Sequence, residues 1–336
     1  MKTLTFLSAA FNWCGRTGRI GFAVAFILCV AAFAFWMTLP KLSTDRMWCA
    51  PVCAVSVLLL FGHCRRRLND LGRSGHWMWL MVVFPLNLIL SLVLMTRRPA
   101  REDQILHVGV WGKRLVYVFA ALVASRGYWE SYWITSGAMK PALLVGDYVP
   151  VTRLWAAPER GDVLVYHHPV KDVDLVGRLI GLPGDEVQVV VGVLHLNGVP
   201  VTLREAGVFE EVMEPQGPLA RFPRCVNGAV GIGAICEKTR QIETLPNGAS
   251  HEVLDIQMQS MDQTAGFQVP EEHYFFMGDN RDYSVDSRMA PAVGGVGFVP
   301  TDHVLGEVTR VLFSSAGRAL AYVWTWRSDR FLKAID

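Results

Sequence analysis

The 336-residue sequence is short of charge: Asp, Glu, Lys and Arg make up 18% of it, and the formal net charge is only +2. So small an excess gives no electrostatic footing for nucleic acid, which is held by clustered cations that neutralise phosphates. Internal repeats and low-complexity tracts are missing. The nine histidines show no spacing that pairs with cysteines or carboxylates as metal ligands, so neither a metal nor another cofactor is implied. The N-terminus lacks the small-residue cleavage site of a secretory signal, and its first apolar run is expected to remain as an anchor. What the chain has in excess is apolarity. Hydrophobic residues make up 51% and the mean hydropathy is +0.28, which places part of the chain in a bilayer.

Apolarity is concentrated in the first 125 residues. The apolar runs suggest spans at Gly21 to Leu39, Met47 to Phe61, His76 to Met95 and Leu115 to Ile134, against the ~20 residues needed to cross hydrocarbon. The second is short and the fourth is interrupted by Arg126 and Glu130, so either reads equally as a partial or interfacial segment. Five cysteines, Cys14, Cys29, Cys49, Cys53 and Cys64, lie in or beside this region as small apolar side chains. Cys225 and Cys236 are the only two in the polar half and are close enough to close a small loop, which fits an oxidising compartment such as the periplasm.

After Ile134 the pattern changes to short β-branched runs broken by Gly and Pro: Asp147 to Thr152, Asp162 to Tyr166, Leu175 to Ile180, Glu186 to Val191 and Val193 to Leu196. Asn197-Gly198 is a two-residue hairpin signal, because both residues tolerate positive φ. Residues 202–264 are less regular and hold both polar cysteines, and they read as an insertion in a mainly-β unit. The expected layout is a multi-span helical membrane domain over 1–112, a membrane anchor over 113–134, a β domain over 135–322 and a membrane-interface segment over 323–336.

Basic residues carry the topology argument. The run Arg65 to Trp77 resembles the signature of a small uncharacterised bacterial membrane-domain family, with Asn69 and His76 departing from its usual His and Trp. The plainer reading makes its arginines topology signals and phospholipid contacts at a helix end. Arg65 to Arg67 and the later group Arg97, Arg98, Arg101, Lys113 and Arg114 both favour the cytoplasmic side, yet one full span would separate them. A re-entrant hairpin over His76 to Met95, breaking near Pro85-Leu86-Asn87, reconciles the two and leaves the β domain outside. Tyr128, Trp129, Tyr132 and Trp133, with Tyr322, Trp324 and Trp326 near the C-terminus, are amphipathic rings suited to a headgroup layer.

Three blocks in the polar half resemble the motifs of the bacterial type I signal peptidases, in that family's order. The first is Ser136-Gly137-Ala138-Met139-Lys140-Pro141-Ala142-Leu143 with Gly146-Asp147. The second is Gly177-Arg178-Leu179-Ile180-Gly181-Leu182-Pro183-Gly184-Asp185. The third is Met277-Gly278-Asp279-Asn280-Arg281-Asp282-Tyr283-Ser284-Val285-Asp286-Ser287-Arg288, followed by Gly297-Phe298-Val299-Pro300 and Gly306. The resemblance implies a helical transmembrane N-terminal region, a mainly-β signal-peptidase-like domain and a serine-lysine membrane endopeptidase that removes signal peptides. In such chemistry a serine hydroxyl attacks the scissile carbonyl and a lysine kept neutral by burial takes its proton.

The same resemblance places the nucleophile at Ala138 and the general base at Gly177, which cannot perform those roles. It gives Ser136 to the oxyanion hole beside the backbone N–H of residue 138, Ser284 to contact with the lysine, and Asp286 and Arg288 to a bracing ion pair. Ser136 as nucleophile with Lys140 or Lys171 as base would be the substitute arrangement, while His167-His168 read as flanking a strand end. The expectation is a catalytically inactive homologue at the bacterial inner membrane, multi-pass, with the β domain on the periplasmic side. Its expected partners are membrane lipid and either signal peptides of exported proteins or an active signal peptidase. An active enzyme using Ser136 and a purely structural membrane protein are the alternatives.

Overall fold

The computed structural model describes residues 6–13, 17–41, 43–82, 86–98, 110–153, 156–316 and 322–335. The chain divides into two compact units, Met1–Trp129 and Glu130–Asp336. Cys14 and Arg101 lie outside the described residues.

The first unit is helical. Helix α1 (Arg19–Thr38) and helix α2 (Thr44–Asp70) are both long and apolar enough to cross a membrane. At 1.5 Å per residue, the 20 residues of α1 reach about 30 Å, the thickness of the hydrocarbon layer. Much of the α1 surface is apolar and uncovered, including Ile20, Ile27 and Phe35, whereas most of α2 is buried. At the start of α2 the side chain of Ser43 accepts the Arg46 N–H at 3.1 Å, satisfying one otherwise orphaned donor.

Neither of the two remaining apolar stretches forms one helix over its whole length, which departs from full spans but agrees with the alternatives of a hairpin broken near Pro85 and a partial last segment. His76 to Met95 is not one helix: it divides into a 3-10 helix, Gly75–Val82, and helix α3, Leu86–Thr96, with Pro85 outside the described residues. Each piece is too short to span. The stretch read as Leu115 to Ile134 is helical only within α4 (Val110–Ser125), and Trp129–Trp133 forms strand β1 of the second unit's sheet. Hydropathy does not separate these two states, and the aromatic residues after Ser125 suit a strand.

The arginines of α2 are also placed differently. Arg65, Arg66 and Arg67 are between 1% and 8% exposed, so they are internal fasteners and not phospholipid contacts. Arg66 donates to the Asn12 carbonyl at 2.7 Å, holding the N-terminal segment. Arg67 donates to the carbonyls of Leu94 at 2.9 Å and Arg97 at 2.5 Å. The Leu94 oxygen belongs to the last turn of α3 and the Arg97 oxygen follows it, at the helix end where carbonyls lack helical partners and the dipole favours a cation.

The second unit is mainly β. Its main sheet runs in the order β1, β2 (Asp147–Thr152), β14 (Val304–Val308), β3 (Val163–His167), β4 (Asp174–Gly181), β12 (His273–Met277), β13 (Val299–Pro300), with β15 (Phe313–Ser314) also pairing with β2. A second sheet joins β11 (Phe267–Gln268), β5 (Glu186–Val190), β6 (Val193–Leu196) and β7 (Val199–Pro200). The turn between β6 and β7 uses Asn197 at φ 53° and Gly198 at φ 78°, the left-handed geometry expected of that hairpin. A core of Ile180, Val187, Leu194, Leu196, Val269 and Phe275 lies between the sheets.

The irregular stretch at 202–264 contains a third sheet of β8 (Thr202–Val212), β9 (Ile235–Thr244) and β10 (Ser250–Asp255). Cys225 and Cys236 form a disulfide. Cys236 pairs in register with Glu211, so residues 213–224 form a loop closed at its base by the disulfide and the strand pairing together. The C-terminal segment is fastened to β2: Arg330, 5% exposed, donates to Asp147 at 2.6 Å.

Candidate active site

The three motif blocks converge on one cleft of about 250 Å³ in the β domain, lined by residues that include Ser136, Ala138, Gly177, Ser284 and Asp286. The first block is a series of turns between β1 and β2, the second lies on β4, and the third leaves the end of β12. Asn280 holds the first and third together. Its backbone N–H donates to the Ala138 carbonyl at 2.9 Å and its side-chain amide to the Gly137 carbonyl at 2.9 Å. Gly278 is needed for this approach, since a Cβ there would lie 2.7 Å from the Ala138 oxygen and would collide with Ser284.

At Ala138 and Gly177, where the resemblance expects the nucleophile and the base, the cleft offers a methyl group and a hydrogen. A Cβ built on Gly177 would meet the Tyr166 ring and the Phe276 Cβ at 3.3 Å and the Tyr166 hydroxyl at 3.4 Å. Tyr166 is stacked on Phe276 with ring centroids 4.2 Å apart, and it lines the same cleft. Burial and the nearby Asp286 charge push its pKa upward, so it is a neutral phenol near neutral pH. The sequence reading passed over Tyr166. Strand parity carries the signal: Leu164 is directly opposite Gly177 in the β3–β4 register, and Tyr166, two residues on, shares that face.

The bracing groups are intact. Asp286 receives Arg288 Nε and Nη2, each at 2.9 Å, and the Gly278 N–H at 3.1 Å. Burial raises the Asp286 pKa, but Arg288 and these hydrogen bonds outweigh it, and the carboxyl is held below its usual range. Beside Gly177, Arg178 makes a two-pronged bond to Asp279, both contacts at 2.8 Å, with the two side chains 1–2% exposed. Behind the third block, Arg281 meets Glu243 at 2.6 and 2.9 Å, and His251 lies 3.2 Å from the same carboxylate. Burial opposes ionisation of Glu243, yet Arg281 and His251 bring its pKa down to about 2.

The substitute groups are placed unevenly. Ser136 is exposed and lines both the cleft and an adjoining pocket of about 70 Å³ that Lys140 also lines. Burial lowers the Lys140 pKa to about 8 against the pull of Glu211, which suits a proton acceptor. Its amine, however, bonds to Glu211 and, at 2.6 Å, to the Gln216 side chain, and no hydrogen bond joins it to Ser136. Lys238 holds the other oxygen of Glu211 at 2.6 Å. Lys171 is elsewhere, donating to the Gly294 carbonyl at 2.9 Å. His167 ends β3, and His168 Nδ1 accepts the N–H groups of Val170 and Lys171 at 3.0 and 3.1 Å, closing the following turn.

Comparison with known proteins accords with this assembly of blocks. The family model described as signal peptidase, peptidase S26 matches residues 109–313, more than half of the chain, and the chain belongs to that family. Among curated relatives, signal peptidase I of Rickettsia bellii is 29% identical over 250 residues, covering 65% of this chain and 75% of the relative. Signal peptidase I of Rickettsia typhi is 30% identical over 217 residues, covering 55% and 72%. The protein of the same name from Buchnera aphidicola is 27% identical over 231 residues, covering 58% and 72%. The crystal structure of a signal peptidase I from Enterococcus faecalis aligns with 46% of this chain and 98% of its own, at 22% identity and a TM-score of 0.25.

Proposed function

We propose that this member of the signal peptidase family binds an extended segment of an exported preprotein without cutting it. The observation that carries the reading is the pairing of an open, braced cleft with Ala138 and Gly177 at the positions where the reaction needs a hydroxyl and an amine. A methyl group supplies no nucleophile, and a glycine supplies no base. Recognition survives that loss on chemical grounds. Strand β1 is at the edge of its sheet, and the residues that end and follow it line the cleft, where an extended peptide can lie alongside by main-chain pairing. Among the described residues the Ala138 N–H has no acceptor, so it is available to a peptide carbonyl.

Several features support a setting at the bacterial inner membrane with the β domain outside. The two membrane-length helices support the membrane setting; the side is supported by the Cys225–Cys236 disulfide and by the division of the His76 to Met95 stretch, which a re-entrant segment requires and which leaves α4 as the third crossing. Trp324 is 73% exposed, and Tyr322, Trp326 and Tyr128 are each more than 40% exposed, which suits rings that meet a headgroup layer. The second reading, an endopeptidase using Ser136, is favoured by the exposed hydroxyl and the lowered pKa of Lys140. The commitment of that lysine to Glu211 and Gln216 weighs against it.

The test is incubation of the purified chain in detergent with a preprotein bearing an Ala-x-Ala cleavage site, with a Ser136→Ala variant alongside. The expected result is no processing by either protein and retention of the preprotein in a pull-down. Processing that disappears in Ser136→Ala would overturn the reading and make Ser136 a nucleophile. The double variant Ala138→Ser, Gly177→Lys is expected to gain cleavage, because the bracing ion pairs are already in place.

A further inference from the structure

The helical unit holds a cavity that the peptidase chemistry does not use. It is about 410 Å³ in volume, within the range of small-ligand sites. The end of α2, the 3-10 helix and α3 form it. Its wall is apolar, with Leu68, Leu80, Leu86, Ile89 and Leu90 along its length, and Arg73, Arg97 and Arg98 line it as well. Arg73 follows the end of α2, and Arg97 and Arg98 follow the end of α3. The bonds from Arg67 to the Leu94 and Arg97 carbonyls hold those two helix ends together, so the three cations gather at one end of the apolar wall.

These arginines differ from their neighbours Arg65 to Arg67. The inner three are buried, and Arg66 and Arg67 are tied to carbonyls; Arg73, Arg97 and Arg98 are exposed. Among the described residues none of the exposed three has a carboxylate partner, and Arg73 only approaches the Trp77 ring, at 5.9 Å. Three cations beside an uncovered apolar trough match an amphiphile with an anionic head and a hydrocarbon tail. We propose that this cavity binds an anionic phospholipid, with the phosphate at Arg73, Arg97 and Arg98 and an acyl chain along Leu80, Leu86 and Ile89. The proposal concerns the helical unit only and stands whether or not the β-domain cleft binds a preprotein.

Trp77 lines the cavity and is 48% exposed, which makes it a reporter. The full-length chain is reconstituted in phosphatidylcholine vesicles containing phosphatidylglycerol, with bromine on the acyl chains of one lipid or the other. The Trp77 signal is taken as the difference from a Trp77→Phe variant. Three guanidiniums predict a preference for the anionic lipid on the order of a hundredfold, and the triple variant Arg73→Gln, Arg97→Gln, Arg98→Gln is expected to bring it close to one. Native mass spectrometry of the chain in detergent should likewise retain phosphatidylglycerol on the wild type and lose it in the triple variant. Equal quenching by the two lipids, a preference kept by the triple variant, or removal of the effect by millimolar inorganic phosphate would each overturn the proposal.

Discussion

The cleft surface at residues 138 and 177 and the frame behind it are held in different ways. At Ala138 and Gly177, the positions the resemblance assigns to the nucleophile and the base, the cleft carries a methyl group and a hydrogen, while the ion pairs Arg178–Asp279, Asp286–Arg288 and Arg281–Glu243 are complete and buried. The physical cost of change differs between the two places. Shortening a side chain at an open cleft leaves no charge stranded, whereas removing one member of a buried pair leaves the other unsolvated, at about 3–5 kcal/mol. Substitution at the cleft surface is therefore thermodynamically cheap, and loss of the frame would cost the fold.

The most severe test of that contrast is Asp279→Ala. It strands Arg178 beside Gly177, and we expect it to lower stability by about 3–5 kcal/mol, read as an earlier thermal transition of the full chain in detergent. Ala138→Ser, one residue block away, is expected to stay within about 1 kcal/mol of wild type. If Asp279→Ala costs no more than Ala138→Ser, the frame is not what holds the cleft in shape.

An intermediate effect is expected at the cleft's outer wall. Gln216, Pro218, Leu219 and Arg221 line the pocket next to Ser136, and they lie in the segment after β8 whose far end Cys225–Cys236 ties to β9. The double variant Cys225→Ser, Cys236→Ser should lose roughly 2–3 kcal/mol, as for a short closed loop, and speed tryptic cleavage at the exposed Arg221 and Arg224. Unchanged digestion would show that strand pairing between β8 and β9 alone orders this wall.

What the sequence made legible follows from how local each signal is. Asp147 to Thr152 and Val193 to Leu196 coincide with β2 and β6 because alternating apolar residues there face a core. The three blocks were readable because each is contiguous, and the fold brings them to one cleft. Strands β8 and β9 were missed for a physical reason: β8 is exposed along much of both faces, so it lacks the alternation that marks a half-buried strand, and its register shifts between Glu205 and Val208. Asn280 and the burial of Arg65 to Arg67 depend on partners far along the chain, such as Ala138 and Leu94. No local pattern encodes those partners.

The smallest effect is expected where the frame itself is imperfect. The Asp282 carboxylate accepts the N–H groups of Ile256 at 2.8 Å and Gln257 at 3.2 Å, while one oxygen of the neighbouring Asp255 has no partner among the described residues. Burial, contact with Asp282 and the charge of Asp262 push the Asp255 pKa up to about 6. Because this folded value lies above the unfolded one of about 3.9, the folded chain binds the proton more tightly than the unfolded chain. Asp255 is thus destabilising above about pH 6, and the penalty fades as the pH falls through 6 toward 4. After allowance for solvent screening of a partly exposed group, Asp255→Asn is expected to add about 1 kcal/mol at pH 8 and nothing at pH 4. The comparison of Tm values at the two pH values reads this directly. A gain equal at both would place the effect in packing, and a loss at pH 8 would make Asp255 a working member of the frame.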